Sequence, residues 1–167
     1  MEIRATRNED LPRLAALYRQ ARAFMASRGN PNQWGHNQWP PADLLRQDIA
    51  DGHSYVCLDG TRVVGTFFFE AGPEVEPTYR VIEAGSWGED SPYGVVHRLA
   101  GDGSVPGIGA FCLDWAWRQC GHLRVDTHPD NWVVQQTLDR LGFVYRGIIH
   151  VPQDQDHRLA YEKRNTP

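Results

Sequence analysis

Hydrophobic residues recur along the chain at two different spacings, and the two spacings predict different elements. Where apolar side chains return every three or four positions, a helix with one buried face is expected. Glycine at position 29 and again at position 142 follows such a segment and favours its end. Four segments have this periodicity: residues 11–25, 42–51, 107–119 and 131–141.

Other segments are short apolar or alternating runs of strand length, bounded by turn residues. Asp59-Gly60 separates two of them, and this dipeptide favours the tight two-residue turn of a hairpin. Between residues 71 and 92 no periodicity is visible, and a long irregular segment inside a compact domain is usually functional or mobile. The segments predicted as strands are residues 1–6, 54–58, 62–70, 94–100, 123–127, 144–151 and 158–163.

The order of these elements predicts how the strands pair. A strand at 94–100, a helix at 107–119 and a strand at 123–127 form a unit whose two strands lie parallel, connected by a right-handed crossover. The flanking hairpins require antiparallel pairs. We therefore predict an α/β (α+β) fold with a mixed, mostly antiparallel sheet of about seven strands, helices on both faces, and a single domain over residues 1–167.

Composition narrows the classes of partner. The chain has 17 Lys and Arg against 21 Asp and Glu, a net charge of -4, whereas proteins that bind nucleic acids usually carry a basic surplus. No apolar run approaches the roughly 18 residues of a membrane span, and the N-terminus lacks the apolar core of a signal peptide. Three cysteines without a CxxC pair indicate neither a disulfide framework nor a zinc knuckle. We expect a cytoplasmic protein.

The strongest chemical signal is the glycine-rich stretch from Gly103 to Ala110, which follows a predicted strand and opens a predicted helix. The first turn of a helix has N–H groups without partners, and glycine lets an anion come close to them. A diphosphate site and a turn that needs glycine for its own geometry are both open at this point. The spacing is not GxGxxG, and no Lys-Ser or Lys-Thr follows, so neither a dinucleotide fingerprint nor an ATP-type loop is indicated.

Two segments carry a likeness to a known family. Residues 104–109 have the sequence Ser-Val-Pro-Gly-Ile-Gly, and residues 131–143 begin with Asn131 and end in Leu-Gly-Phe. Together with the order of the elements, they resemble the GNAT superfamily of acetyl-CoA-dependent N-acetyltransferases, whose pyrophosphate loop usually has the pattern Gln/Arg-x-x-Gly-x-Gly/Ala. Ser104 stands where that family prefers Gln or Arg. The resemblance covers nearly the whole chain.

The resemblance implies a cleft in the centre of the sheet, where the parallel strands 94–100 and 123–127 splay apart. Acetyl-CoA would enter this cleft as a cosubstrate, with its pantetheine arm along the first strand and its diphosphate on the glycine-rich loop. Arg140 or Arg118 could then meet its 3′-phosphate. The implied cofactor-binding residues are Leu99, Gly101, Ser104, Val105, Gly107, Ile108, Gly109, Ala110 and Asn131.

Acetyl transfer to an amine needs a base for the amine and, in many members of the family, an acid for the departing thiolate. The family often supplies that acid as a Tyr seven residues after the signature Asn, but this chain has Leu138 there. Tyr145 could reach in from the following strand. For the base we consider His97, Glu70 and His128, of which His97 is preferred because it lies within the strand that would line the cofactor. A packed, purely structural histidine is the alternative.

The acceptor pocket in such folds is formed by loops that here contain large aromatic residues. We expect Trp34, Trp39, Tyr79 and His128 to contact an amine acceptor, either a small molecule or a peptide. The alternative is that the tryptophans pin their loop to the body of the protein. The seven histidines match no metal-binding spacing, so no metal is expected. A homodimer is left open. The rival functions are a CoA-binding member without catalysis and a nucleotide-binding α/β domain of another class.

Overall fold

The described part of the chain has four α-helices placed between groups of strands, as its hydrophobic periodicity predicts. The computed structural model describes residues 1–35 and 37–165. Two short 3-10 turns, Asn8–Asp10 and Pro77–Arg80, interrupt the longer connections. The principal elements are β1 (Glu2–Ala5), α1 (Leu11–Ser27), α2 (Ala42–Ala50), β2 (Ser54–Asp59), β3 (Arg62–Gly72), β4 (Tyr93–Gly101), α3 (Ile108–Cys120), β5 (His122–Thr127), α4 (Trp132–Arg140), β6 (Val144–His150) and β7 (His157–Arg164).

All seven strands belong to one sheet with the order β1-β2-β3-β4-β5-β7-β6. Every pair is antiparallel except β4 with β5, which is parallel and bridged by α3. The predicted fold class is therefore confirmed: a mixed, mostly antiparallel sheet with one central parallel pair. The predicted strands agree with the observed ones to within two residues at each end.

Helices cover both faces of the sheet because successive strand side chains point to opposite sides. Val63 packs with α1 and α2, whereas Val64 packs with α3 and with buried residues of β4 and β5. Cys57 and Cys112 are both buried on the α3 side as free thiols. None of the helices in the described part of the chain is long and apolar enough to span a membrane.

Strands β4 and β5 separate shortly after they begin. Their register contains only two residue pairs, Gly94 with Leu123 and Val95 with Arg124. Beyond Val95 the strands diverge, and the main chain of β4 loses its neighbour on that side. The register of β4 against β3 also shifts in this region, and Arg98 adopts a φ of 53°. A positive φ is strained for a side chain other than glycine, so packing must hold this bulge in place.

Residues 73–92, which we call the strap, connect β3 to β4 across the face on which α1 lies. The strap has few regular elements, yet Tyr79 within it is buried, and Glu83 pairs with Ile148 of β6. Its second half is held by Glu162 of β7, whose carboxylate accepts a hydrogen bond from the Gly88 N–H at 2.9 Å. The segment that lacked periodicity is therefore packed against β6 and β7.

Candidate active site

A cavity of about 630 Å³ fills the wedge between β4 and β5. The carboxyl ends of both strands face it, which is where open α/β sheets place their ligands. The glycine-rich loop and the first turn of α3 form one wall, α4 forms a second, and the loop between α1 and α2 together with the strap closes the remainder. The cavity therefore gathers residues from segments that are far apart in the sequence.

Hydrogen bonds to Asp102 fix the shape of the glycine-rich loop. Asp102 accepts hydrogen bonds from Arg13 at 2.6 Å and from the Ser104 N–H at 2.9 Å, and its own N–H donates to the carbonyl of Val64 at 2.9 Å. Burial alone would raise the pKa of Asp102, but the hydrogen bonds from Ser104 and the charge and hydrogen bond of Arg13 lower it. The loop is thus fixed by an ionised carboxylate that points away from the cavity wall formed by its glycines.

At the start of α3 the backbone leaves room for an anion. Gly107 caps the helix with a φ of 81°, and a Cβ placed on it would meet no atom within 4 Å. The first α-helical hydrogen bond runs from the Phe111 N–H to the Gly107 carbonyl, so the N–H groups of residues 108–110 precede the helical ladder. An open cradle with free amides at a helix N-terminus fits a diphosphate, as acetyl-CoA requires.

His97 lies six residues before Gly103, where this loop begins, and is held between two carboxylates. Its Nε2 atom is 2.7 Å from Oε2 of Glu76, and its Nδ1 atom is 3.7 Å from Oδ2 of Asp126. The Tyr79 hydroxyl donates to the same Asp126 oxygen at 2.7 Å. His97, Glu76 and Asp126 all line the cavity. Both ring nitrogens of His97 therefore face a carboxylate oxygen.

The charge state of Glu76 follows from its surroundings. Burial alone would raise its pKa, but the hydrogen bond from His97 and two hydrogen bonds from Thr78 lower the pKa to about 2. In contrast, burial and the neighbouring Asp126 raise the pKa of the Tyr79 hydroxyl well above its ordinary value. Glu76 is therefore an anion and Tyr79 a neutral donor throughout the neutral pH range.

The residue after His97 fixes the bulge of β4. The Arg98 guanidinium pairs with the buried Asp48 of α2 and lies 4.7 Å from the centre of the Phe68 ring. The Arg98 carbonyl accepts a hydrogen bond from the Tyr18 hydroxyl at 2.8 Å. Both contacts come from the α1 side of the sheet, and together they hold the main chain between His97 and Leu99 in its irregular path.

The loop between α1 and α2 is attached to the N-terminus of α4 across the cavity. The Gln33 side-chain oxygen accepts from Asn131 at 2.9 Å and from Asn30 at 2.8 Å. Asn131 also caps α4 by accepting from the Val134 N–H. Trp34 and Trp39 of this loop are half-buried and line the cavity. Both roles considered for the tryptophans, pinning the loop and lining the pocket, are thus compatible with the structure.

Many of the residues proposed from sequence line this one cavity. Ser104 does not, because its hydroxyl is bonded to Asp102 and to Arg62 beside the loop. Arg140 lines the cavity, whereas Arg118 pairs with Asp114 on the outside of α3. The residues brought together are Trp34, Trp39, His97, Leu99, Gly101, Val105, Gly107, Ile108, Gly109, Ala110 and Asn131.

Four other proposed residues lie outside the cavity. Tyr145 projects from the edge strand β6 towards Tyr161 and is 47% exposed. Glu70 lies 3.7 Å from His53 near the far end of β3. His128 is buried and bonded to Asp156 at 3.0 Å, and Tyr79 packs behind Asp126 rather than facing the cavity itself. Leu138, at the family's usual Tyr position, is fully buried in the core.

Two residues of the site were missed by the sequence reasoning. Glu76 lies in the strap, where no periodicity marks any position, and its contact with His97 spans 21 residues. Asp126 is the next-to-last residue of β5, and the rule that ligands bind at the carboxyl ends of parallel strands could have identified it. Within residues 1–35 and 37–165 no group of three or more His, Cys, Asp or Glu side chains is arranged to hold a metal ion.

Comparison with known proteins finds no matching family model and no matching curated protein. Solved structures do match. A GNAT-family acetyltransferase from Streptococcus agalactiae 2603 has 26% sequence identity and a TM-score of 0.89, over 99% of this chain and 96% of that one. A GNAT-family acetyltransferase from Listeria monocytogenes 4b F2365 has 16% identity and a TM-score of 0.69, over 97% and 93% of the two chains. A ribosomal-protein-alanine N-acetyltransferase from Brucella melitensis has 17% identity and a TM-score of 0.64, over 98% and 99%.

Proposed function

We propose that the chain is an acetyltransferase of the GNAT superfamily, which its likeness to solved structures supports, and that it transfers an acetyl group from acetyl-CoA to a primary amine by direct attack in a ternary complex. One observation carries the proposal: a single cavity has a cradle of free amides at the start of α3 and an imidazole held between two carboxylates on β4. No covalent enzyme intermediate is needed, because Cys57 and Cys112 are buried in the core.

Acetyl-CoA, when bound, supplies the acetyl group as a thioester. The residues of this chain that would hold it are the amides of Ile108, Gly109 and Ala110 for the diphosphate and the free main chain of β4 around Leu99 for the extended arm. Asn131 borders the same cavity from the start of α4. Between His97 and Gly101 the strand rises by about 13 Å, which separates the diphosphate cradle from the reacting end.

His97 is placed to remove the proton from the amine. We assign the Nε2–H of the neutral imidazole as the donor to Glu76, which leaves Nδ1 as the acceptor on the side of Asp126. When Nδ1 takes the proton, both ring nitrogens face a carboxylate, and the imidazolium is stabilised by two negative charges. A buried carboxylate thus orients the base and compensates the positive charge that the base gains.

The departing thiolate would leave without a tyrosine acid. No tyrosine is among the described residues that line the cavity, and Leu138 occupies the usual position of that acid. A thiolate is a tolerable leaving group, since an ordinary thiol has a pKa of about 8.5. This departure also favours a second candidate function, a member of the superfamily that binds CoA and does not catalyse.

A thiol-release assay over a panel of primary amines, combined with calorimetric titration of acetyl-CoA, separates the two functions. For the enzyme we expect His97→Ala to lower kcat by about 10²- to 10⁴-fold with little change in the Kd of acetyl-CoA. His150→Ala is the matched control, because His150 is an exposed histidine near Glu83 on β6. Binding of acetyl-CoA without turnover of any amine would favour the second candidate.

A further inference from the structure

Negative charge exceeds positive charge around one part of the cavity, the acceptor end. We use this name for the part lined by Trp34, Trp39 and Gln153 together with the carboxylates of Glu76 and Asp126. Both carboxylates reach the cavity surface there, with 18% and 12% of their side chains exposed. Two anions held at the point of reaction attract an ammonium group and repel a carboxylate.

The arginines of the cavity do not offset these anions. Arg98 is paired with Asp48, and Arg158 donates to both oxygens of Asp154 and to main-chain carbonyls, so each guanidinium is neutralised by the protein's own groups. Arg140 is the last residue of α4. Asn131 caps the start of this helix and donates to Gln33 in the loop between α1 and α2. The helix places these two about 13 Å apart, so Arg140 lies at the opposite end of the cavity.

The remaining surface of the acceptor end is apolar and aromatic. Trp34 packs edge-on against Tyr18 at 5.7 Å, and Arg22 donates to the carbonyl of Trp39 at 3.1 Å, so both indoles sit on an anchored loop. Pro152 lies on the other side, in the connection between β6 and β7. Aromatic walls beside carboxylates suit a cation that carries an apolar group.

We infer that the acceptor is an aralkyl or alkyl amine that carries no carboxylate, and that Glu76 and Asp126 exclude the corresponding α-amino acids. The inference rests on the proposed function and deepens it. The wild-type protein has no uncommitted cation among the described residues of the acceptor end with which to pair a substrate carboxylate, while the amine itself is drawn to the two anions. Selection is therefore by repulsion of the wrong substrate as well as by contact with the right one.

Pairs of compounds that differ only in the carboxylate test this directly. Tryptamine is compared with L-tryptophan, and phenethylamine with L-phenylalanine, in steady-state assays with acetyl-CoA and in calorimetric titrations of the protein saturated with CoA. We expect each amine to have a kcat/KM at least tenfold higher and a Kd at least tenfold lower than its amino acid. Equal or tighter binding of the amino acids, or no binding of either compound, would overturn the inference.

A change of charge at Gln153 tests whether charge causes the selection against amino acids. This half-buried side chain lines the acceptor end and is not part of the proposed proton chemistry. Gln153→Arg supplies the missing cation, and we expect it to lower the ratio of kcat/KM for the amine to kcat/KM for the amino acid at least threefold. Gln153→Met has a similar size and no charge, and we expect it to leave this ratio unchanged. An unchanged ratio in Gln153→Arg would refute selection by charge. Selective binding of the amines without any turnover would instead count against the proposed function alone.

Discussion

The Arg98 guanidinium donates two hydrogen bonds to one carboxylate oxygen of Asp48, at 2.7 and 3.1 Å, from a residue whose φ is positive. Asp48 is on α2 and Arg98 is in the bulge of β4, so this pair ties the reacting strand to the helix layer on its α1 side. Both side chains are largely buried, with 12% and 9% of their surface exposed. A charge in such a position is costly when its partner is removed.

We therefore expect Asp48→Ala to destabilise the protein by about 3–5 kcal/mol, since Arg98 would keep its charge without a partner. The free energy of unfolding in urea measures the loss. Asp43→Ala is the matched control on the same helix, because the Arg46–Asp43 pair is exposed and such pairs contribute less than about 1 kcal/mol. Equal effects of the two substitutions would contradict a structural role for the Arg98–Asp48 pair.

The second prediction concerns the carboxylate behind His97. Glu76→Gln preserves the shape and most hydrogen bonds but removes the negative charge, so an imidazolium at His97 loses part of its stabilisation. We expect kcat to fall at least tenfold and the acid limb of the pH–rate profile to move to lower pH, with the Kd of acetyl-CoA unchanged. Glu74→Gln, at an exposed carboxylate of the same strap, is the control. A wild-type pH–rate profile in Glu76→Gln would show that this charge does not act on the base.

The third prediction separates backbone strain from loss of the anion cradle. Gly107→Ala adds a methyl group in open space at the residue that caps α3, and the positive φ adds about 1–2 kcal/mol of strain. Gly52→Ala carries a similar strain, with a φ of 77° and no atom within 4 Å, but lies at the end of α2. We expect both variants to lose similar stability and only Gly107→Ala to lose at least tenfold in CoA affinity. Titration calorimetry and urea unfolding make the comparison.

The fourth prediction concerns Glu162, which is fully buried between His122, Arg124 and Arg146. Burial alone would raise its pKa, but the hydrogen bonds from His122 and the Gly88 N–H and the charge of Arg146 lower it to about 2. A depressed pKa contributes stability that is complete above the ordinary value of 4.5 and is lost as the pH falls towards 2. The contribution is about 3 kcal/mol.

The free energy of unfolding, measured between pH 7 and pH 3, checks whether stability falls with the pH in this way. The wild-type protein is expected to lose stability steadily below pH 4.5, and Glu162→Gln to start about 3–5 kcal/mol lower at pH 7 and to fall less steeply. Glu89→Gln, which removes an exposed carboxylate that pairs with Arg164, is expected to stay within about 1 kcal/mol of the wild type. A parallel decline in Glu162→Gln would mean that other carboxylates control the acid sensitivity.

The fold could be predicted from the sequence because its evidence is local. Helical periodicity, the Asp59-Gly60 turn and one strand-helix-strand unit determine the order of the elements and the single parallel pair. The glycine-rich loop is likewise local, since the amides of a helix's first turn need no distant partner. Its glycines and the predicted Asn131 therefore do lie on one cavity.

The reacting end could not be predicted in the same way, because its contacts join distant segments. Glu76 meets His97 through the path of an irregular strap, and the bulge at Arg98 depends on Tyr18 and Asp48, neither of which is near it in sequence. From the sequence, Tyr145 is expected within reach of the site. In the structure β6 is an edge strand separated from β5 by β7, so the Tyr145 side chain does not reach the cavity between β4 and β5. Alternation along a strand gives no information about its place in the sheet.

Only two residue pairs connect β4 with β5. The described sheet therefore consists of two parts, β1 to β4 and β5 to β7, that are joined along a short stretch. An extended molecule lying against the free stretch of β4 would take the place of the absent neighbour and continue the hydrogen-bond ladder. If acetyl-CoA binds there as proposed, it would act as a structural strand as well as a reactant, and its release would leave this stretch of β4 without a neighbour again.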